Sequence, residues 1–223
     1  MADFVLLHGT TQGPQGWDRL ADALRALGHR AHAVDLLAAE REPAEACAEV
    51  VRAQLPRDLA DAAVVAHSGA GLLLPAVAEA LGARRQIWLA AAIPDGRRSL
   101  ADALSDPSSD MFEPEWIGQD PTADPVLAAH FLFHDCTLEA LRWGLGTLRR
   151  FVPAVVYRSV VAPRPAIAST YVVATLDRTI RPAWQRREAV RRLGAKVLEI
   201  DAGHCPHVSR PTETARLLEL ALR

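Results

Sequence analysis

The sequence predicts an α/β fold in which a mostly parallel sheet is flanked by helices. Short apolar runs alternate with longer amphipathic runs along most of the chain, a pattern typical of parallel strands joined by crossover helices. Half of the 223 residues are hydrophobic, and 25 basic side chains nearly balance 27 acidic ones. These proportions indicate a folded core and exclude a disordered or fibrous chain, and the length fits one large domain with a moderate insertion.

The first part of the chain alternates strand and helix. Short apolar runs predict strands over residues 4–8, 31–36, 62–67 and 86–92. Amphipathic runs predict helices over residues 17–27, 43–55 and 69–81. Gly28 closes the first helix, whereas Pro43 suits the first turn of the second helix and Pro56 cannot extend it. Repeated alternation of this kind predicts a parallel sheet.

The alternation stops after residue 93. Prolines and charged turns follow, with short helical patterns over residues 126–132 and 138–151. Further elements are then predicted as strands over residues 169–176 and 196–200 and as helices over residues 182–193 and 211–220. We therefore predict one domain, formed by residues 1–93 and 168–223, which an insertion of residues 94–167 interrupts.

Charge, cysteine content and hydropathy exclude several classes of protein. A formal net charge of −2 without a basic cluster argues against nucleic acid or an anionic membrane as a partner. The three cysteines, Cys47, Cys136 and Cys205, have neither disulfide-framework nor zinc-ligand spacing. The first residues lack the pattern of a signal peptide, and charges interrupt every apolar window that could span a membrane. We expect a cytoplasmic monomer or homodimer that acts on a small molecule without a metal or cofactor.

A serine lies between the third predicted strand and the next helix. Ser68 has small residues, Ala66 and Ala70, two positions before and after it, as a sharp nucleophile elbow requires. The Gly69 amide would lie in the first helical turn, where unpaired N–H groups favour an oxyanion. Alanines replace the outer glycines of the strict GxSxG pattern. The same five residues could also form an ordinary turn from strand to helix.

A second oxyanion donor is predicted at the end of the first strand. Gly9, between His8 and Thr10, would let the backbone pass close to the Ser68 turn. Thr10 would then supply its amide. In the alternative interpretation, His8 and Gly9 only end a strand.

A serine needs a general base, and His204 has the most suitable position among eight histidines. It follows Gly203 in the loop after the last predicted strand. Without the serine, His204 would be interpreted as a surface loop residue. The other histidines considered, which rank below it, are His67, His130, His134 and His207.

An acid that orients the imidazole is predicted at Asp177, which follows the strand over residues 169–176. The carboxyl ends of parallel strands meet at one sheet edge, so Ser68, Asp177 and His204 would converge there. Their chain order is the hydrolase order. Asp95 and Asp201 are rival acids, and the alternative interpretation of Asp177 is a turn residue.

Several segments are together similar to the α/β-hydrolase superfamily along nearly the whole chain. They read FVLLHGT, GHRAHAVDLLA, VVAHSGAG, LAAAIPDG, YVVATLDRTIRPAWQ and AGHCPHVSRP. The sequence most resembles the branch of plant methylesterases, hydroxynitrile lyases and their bacterial esterase relatives, and LDRTIRPAWQ is the most specific match. The resemblance implies Ser68 as nucleophile, His204 as base, Asp177 as acid, and Thr10 and Gly69 as oxyanion amides. It also implies an α/β-hydrolase fold with six strands and a helical cap after the fourth strand.

The chain departs from the lyases of this branch at two positions. Those lyases have threonine after the first-strand histidine and lysine after the catalytic histidine, whereas this chain has Gly9 and Cys205. Cyanohydrin cleavage is therefore disfavoured. The segment from Phe133 to Cys136 resembles a cap stretch whose aromatic side chains line the acyl pocket. The cap residues that we expect at the substrate are Trp116, Phe131, Phe133 and Trp143.

We expect hydrolysis of a small, largely apolar ester through an acyl-enzyme. The same three residues would also serve an acyltransferase, a lactone-forming enzyme or a carbon–carbon-cleaving enzyme, because this fold hosts many reactions. A ligand-binding receptor with the same fold is a further alternative.

Overall fold

The strands form one parallel sheet in the computed structural model, which describes residues 1–59, 61–164 and 166–223. Within these ranges the sheet has six strands in the order β2-β1-β3-β4-β5-β6. The strands are β1 (Asp3–Leu7), β2 (Arg30–Val34), β3 (Ala63–His67), β4 (Arg85–Leu89), β5 (Ser169–Ala174) and β6 (Lys196–Ile200). Every neighbouring pair is parallel. The predicted six-stranded α/β architecture is confirmed.

Helices cover both faces of the sheet. They include α1 (Asp18–Ala26), α2 (Ala44–Arg52), α3 (Leu74–Ala80), α8 (Pro182–Leu193) and α10 (Pro211–Leu220). In β1, Phe4 and Leu6 pack with α1 and α10, whereas Val5 and Leu7 pack with α2, α3 and α8. Because alternate side chains of a strand point to opposite faces, both of which helices cover, the central strands are mostly apolar.

The turns at two strand ends are tighter than the sequence predicts. The predicted helix over residues 69–81 starts as a 3-10 turn, Ser68–Leu72, and the α-helix begins only at Leu74, next to Pro75. The predicted strand over residues 86–92 ends at Leu89, because Ala90 has a φ of 44°.

Residues 94–167 contain four short α-helices among the described residues. They are α4 (Leu100–Ser105), α5 (Pro125–Phe131), α6 (Leu138–Gly146) and α7 (Ala154–Arg158). The helix predicted over residues 138–151 ends at Gly146, because the segment after it pairs with the loop that follows β1. The Arg149 amide donates to the Thr11 carbonyl at 3.0 Å, and the Phe151 amide donates to the Thr10 carbonyl at 2.8 Å. This segment fixes the loop that contains Thr10.

The carboxyl ends of the parallel strands all lie along one edge of the sheet. Thr10, Ser68, Asp177 and His204 follow β1, β3, β5 and β6 there. A further short helix, α9 (Pro206–Ser209), begins just after His204. Within the ranges that the structure describes, no helix combines the length and apolar character needed to cross a bilayer.

Candidate active site

Ser68 occupies a strained turn directly after β3. Its φ is 53°, in the left-handed region that residues other than glycine seldom adopt. The small side chains of Ala66 and Ala70 are buried against neighbouring elements. The backbone therefore has the local geometry predicted for a nucleophile elbow.

Three side chains from distant parts of the chain form one hydrogen-bonded series. The Ser68 Oγ lies 2.9 Å from the His204 Nε2, and the His204 Nδ1 lies 2.8 Å from the Asp177 Oδ2. His204 is 1 % exposed and Asp177 is 4 % exposed. Both distances permit direct proton transfer or charge stabilisation. The structure thus brings together the three residues that the sequence selects for base, acid and nucleophile.

Asp177 is held by donors on both carboxylate oxygens. Its Oδ1 accepts from the Thr179 amide at 2.7 Å, the Thr179 hydroxyl at 3.0 Å and the Ile180 amide at 3.1 Å. Its Oδ2 accepts from the Gln185 Nε2 at 2.8 Å. The carboxylate is therefore fixed in the orientation that presents Oδ2 to His204.

Sequence reasoning missed Thr179 and Gln185, although both lie within the segment LDRTIRPAWQ. The Thr179 Oγ1 lies 2.6 Å from the His204 Nδ1, so the imidazole faces a hydroxyl as well as a carboxylate. Gln185 is fully buried in α8; its Nε2 also donates to the Ile180 carbonyl at 2.7 Å, and its Oε1 accepts from the Ala174 amide at 3.2 Å. One side chain thereby ties the end of β5 to the Asp177 loop.

Gln185→Leu is expected to weaken both stability and turnover. Leucine removes a donor to Asp177 and leaves the buried Ala174 amide without that acceptor, which costs about 1–3 kcal/mol. Urea unfolding and kcat/KM for p-nitrophenyl butyrate measure the two effects. Gln119→Leu is the matched control, because Gln119 is exposed and should change stability by less than about 0.5 kcal/mol. Equal behaviour of the two variants would contradict the role of Gln185.

The two predicted oxyanion donors flank the same pocket as Ser68. Thr10 and Gly69 both line this pocket with the serine. The Thr10 peptide is held by the hydrogen bond from Phe151, and Gly69 lies in the first turn of the 3-10 helix, where amides have no partner within the helix.

Gly9 lies where the loop after β1 passes the elbow at close range. A Cβ at residue 9 would stand 2.9 Å from both the His67 Nδ1 and the Ser68 Cβ, closer than real Cβ contacts. Gly9→Ala is therefore expected to lower the free energy of unfolding by about 1–3 kcal/mol, because overpacking displaces buried groups. Thermal unfolding tests this. Gly146→Ala is the control, since a Cβ at Gly146 would meet nothing within 4 Å; a neutral Gly9→Ala would refute the close approach.

The pocket beside Ser68 contains about 420 Å³ of empty space, part of which is open to solvent. Its walls include Thr10, Ser68, Gly69, Phe112, Trp116 and Tyr157. It is largely apolar, with polar groups concentrated around the serine.

Of the four aromatic cap residues expected at the substrate, Trp116 lines this pocket and three do not. Phe131 supports the Trp116 ring edge-on, with centroids 5.3 Å apart. Phe133 packs against Gly144 inside the insertion, and the Trp143 ring lies 5.6 Å from the Arg19 guanidinium carbon. Phe131 and Phe133 are buried in a cluster that includes Val208 of α9, and Trp143 is partly buried against that cluster, so these three side chains lie away from the pocket beside Ser68.

The remaining candidate histidines bind other partners. The His67 Nε2 lies 2.8 Å from the His204 carbonyl, and the His207 Nε2 lies 2.9 Å from the Gln12 Oε1. His130 contacts Arg178, and the His134 Nε2 lies 3.0 Å from the Leu176 carbonyl. Among the described histidines, only His204 hydrogen-bonds to Ser68.

The rival acids are also engaged elsewhere. Asp95 accepts from the Arg97 and Arg98 amides at 2.7 and 2.8 Å. Asp201 is exposed, and its Oδ1 accepts from the Thr175 hydroxyl at 3.1 Å. Asp177 is the carboxylate that the fold places at His204.

Three buried histidines near this site, His8, His67 and His207, predict that the folded protein is less stable at acid pH. Burial lowers the pKa of His8 to about 4 and that of His207 to about 3, and it holds the pKa of His67 well below its usual range. An unfolded histidine titrates near 6.5, so below that pH the unfolded chain binds more protons than the folded one. The contribution of each neutral buried histidine to the free energy of unfolding is therefore complete above pH 6.5. It is lost as the pH falls toward the pKa of that histidine in the folded protein.

We therefore expect the free energy of unfolding to fall between pH 7.5 and pH 5, by about 2 kcal/mol for each such histidine. Urea unfolding at the two pH values measures the difference. His207→Gln should reduce the difference, because it removes one of the buried histidines with a lowered pKa. A wild-type stability that does not change between these pH values would contradict the expectation.

Two plant proteins share recognisable sequence with the chain. Probable esterase PIR7A of Oryza sativa subsp. indica is 42% identical over 71 residues, which cover 32% of this chain and 27% of the rice protein. Methylesterase 1 of Arabidopsis thaliana is 29% identical over 129 residues, covering 52% of this chain and 49% of the relative. The matched regions thus span half or less of the length of these curated relatives. Their names agree with the branch that the sequence resembles.

Solved structures share the fold over the whole chain. The structure of polyneuridine aldehyde esterase has a TM-score of 0.77 at 23% identity, with 99% of each chain covered. The structure of pyrethroid hydrolase PytH has a TM-score of 0.84 at 18% identity, covering 99% of this chain and 97% of the other. The sequence also matches the profile described as "Alpha/beta hydrolase family" over residues 4–217. The chain therefore belongs to the alpha/beta hydrolase family.

Proposed function

We propose that the protein hydrolyses small, largely apolar carboxylic esters through a covalent acyl-enzyme on Ser68. The observation that carries the proposal is the series Ser68 Oγ, His204 Nε2, His204 Nδ1 and Asp177 Oδ2, with successive hydrogen bonds of 2.9 and 2.8 Å. An unassisted serine hydroxyl is a weak nucleophile at neutral pH, and an adjacent oriented imidazole is the group that activates it. The esterase names of both plant relatives support the same reaction class.

Acylation begins when the His204 Nε2 takes the Ser68 proton and the Oγ attacks the ester carbonyl carbon. The carbonyl oxygen becomes an oxyanion, and we assign the Thr10 and Gly69 amides as its donors because both flank the serine in one pocket. Asp177 stabilises the imidazolium that forms. The intermediate collapses as the carbon–oxygen bond of the leaving alcohol breaks, and His204 returns the proton to that alcohol.

Deacylation repeats these steps with water. His204 takes a proton from the water, whose oxygen attacks the acyl carbon, and the Ser68 Oγ leaves with the proton that His204 returns. The products are a carboxylic acid and the free enzyme.

We assign residues 94–167 as a cap over this site, and residues 1–93 and 168–223 as the hydrolase core. The assignment rests on the pocket walls, because Phe112, Trp116 and Tyr157 belong to the insertion and line the pocket that Ser68 enters. The apolar side chains in the pocket walls favour an apolar acyl or alcohol group.

Labelling with a fluorophosphonate tests for an activated serine before any substrate is known. We expect one phosphonyl adduct on Ser68 in the folded protein, located by peptide mass spectrometry, together with hydrolysis of p-nitrophenyl butyrate. Urea-unfolded protein is the control, because the reactivity depends on the contact with His204. A folded protein without an adduct, or an adduct confined to another residue, would refute the proposal.

A further inference from the structure

Tyr157 is a polar residue of the pocket that the steps above do not use. It lies in α7, its side chain is partly buried against the core on one face of the sheet, and it lines the same pocket as Ser68. A buried tyrosine hydroxyl normally has a defined hydrogen-bonding role.

The Tyr157 hydroxyl occupies the space that a side chain at residue 69 would fill. A Cβ on Gly69 would overlap the Tyr157 Oη and would stand 3.0 Å from the Tyr157 Cζ and 2.9 Å from the Thr10 Cγ2. The phenol oxygen is therefore packed against the Cα of one proposed oxyanion residue. Glycine at position 69 is what permits this approach.

The same hydroxyl also contacts the other proposed oxyanion residue. The Thr10 side chain lies beside it, since the Thr10 Cγ2 and the Tyr157 Oη both stand against the position that a Cβ on Gly69 would take. Burial raises the pKa of Tyr157 well above its usual value, so the phenol remains protonated at neutral pH. If the Thr10 hydroxyl donates to the Tyr157 Oη, the phenolic O–H is free to donate into the pocket.

We propose that the Tyr157 hydroxyl is a third hydrogen-bond donor to the oxyanion, beside the amides of Thr10 and Gly69; this inference rests on the proposed esterase function. Its oxygen packs beside the Gly69 Cα and the Thr10 side chain, and all three residues line the pocket that Ser68 lines. A donor held by a packed cap helix needs no reorganisation as negative charge develops on the substrate. The cap would thus contribute directly to transition-state stabilisation.

Tyr157→Phe tests the proposal, because it removes the hydroxyl and retains the ring. For p-nitrophenyl butyrate we expect kcat to fall on the order of 100-fold with KM changed less than about threefold, as for the loss of one oxyanion donor. The inhibition constant of an aliphatic trifluoromethyl ketone, whose Ser68 adduct is an oxyanion, should rise by a similar factor. A purely structural role would not produce this parallel change.

Tyr171→Phe is the matched control. Tyr171 is a fully buried tyrosine whose hydroxyl donates to the Ala91 carbonyl at 2.7 Å, and it does not line the pocket beside Ser68. We expect this control to lower the melting temperature without changing kcat, and Tyr157→Phe to keep the melting temperature close to that of the wild type.

The outcomes separate this inference from the proposed function. Suppose that the wild type is active. If Tyr157→Phe then has the same kcat as the wild type, or differs from it only by a higher KM, the role of Tyr157 is overturned and the esterase proposal stands. A wild type that neither hydrolyses the ester nor forms the fluorophosphonate adduct would overturn both. A fall in kcat matched by weaker trifluoromethyl ketone binding would support the third donor.

Discussion

Ser68→Ala is expected to reduce kcat for p-nitrophenyl butyrate on the order of 10⁶-fold, to a residual rate set by binding and the oxyanion donors. Alanine has no Oγ, so no acyl-enzyme can form, and His204 loses the group 2.9 Å from its Nε2. Stopped-flow and steady-state assays of released p-nitrophenol measure the loss, and the fluorophosphonate adduct at residue 68 should disappear.

The loss of activity in Ser68→Ala should come from the missing nucleophile and not from a change in the fold. Residue 68 keeps its positive φ whether serine or alanine occupies it, so the melting temperature should change little. Ser105→Ala is the matched control, since the exposed Ser105 hydroxyl donates to the Ala101 carbonyl and lies outside the site. Retention of more than a tenth of wild-type turnover in Ser68→Ala would exclude the acyl-enzyme mechanism.

Local sequence was sufficient to predict the sheet and the position of the serine. The central strands are buried on both faces, so residues 63–66 had to be apolar, and the small residues around Ser68 reflect a turn too tight for larger ones. The order of strands then placed Asp177 and His204 at the same edge as Ser68. These features depend on short segments and on the chirality of parallel connections.

Contacts between distant segments could not be predicted in this way. The pairing of Arg149 and Phe151 with the loop after β1 depends on backbone hydrogen bonds, which carry no side-chain pattern. Phe131 and Phe133 are aromatic, as the residues of an acyl pocket often are, yet their side chains fill the space between short helices. Tyr157 reaches the site only because Gly69, 88 positions earlier, leaves room for its hydroxyl. In each case residues 94–167 make the contact, and the short helices in this range have weak periodicity.

Asp177→Asn is expected to lower kcat on the order of 10⁴-fold while preserving the fold, because the amide changes the tautomer of His204. The Asp177 Oδ1 accepts from the Thr179 amide, the Thr179 hydroxyl and the Ile180 amide, so an NH₂ group at that position would face three donors. Asparagine should therefore keep its oxygen there and place its NH₂ at the Oδ2 position, toward His204. The Nδ1 must then accept a hydrogen bond, and the proton moves to Nε2.

A proton on the His204 Nε2 removes the base from Ser68, since that nitrogen would donate to the hydroxyl and could not take its proton. Only the carboxylate that contacts His204 should have this effect on kcat. Asp201→Asn and Asp95→Asn, which alter the rival acids, should therefore retain kcat within about threefold of wild type. Nitrogen-15 chemical shifts of the imidazole at pH 8 report the tautomer directly, and turnover of p-nitrophenyl butyrate reports the rate. If Asp177→Asn kept the proton on Nδ1 and full activity, Asp177 would not be the orienting acid, and the hydroxyl of Thr179, 2.6 Å from the same nitrogen, would be the group that orients His204.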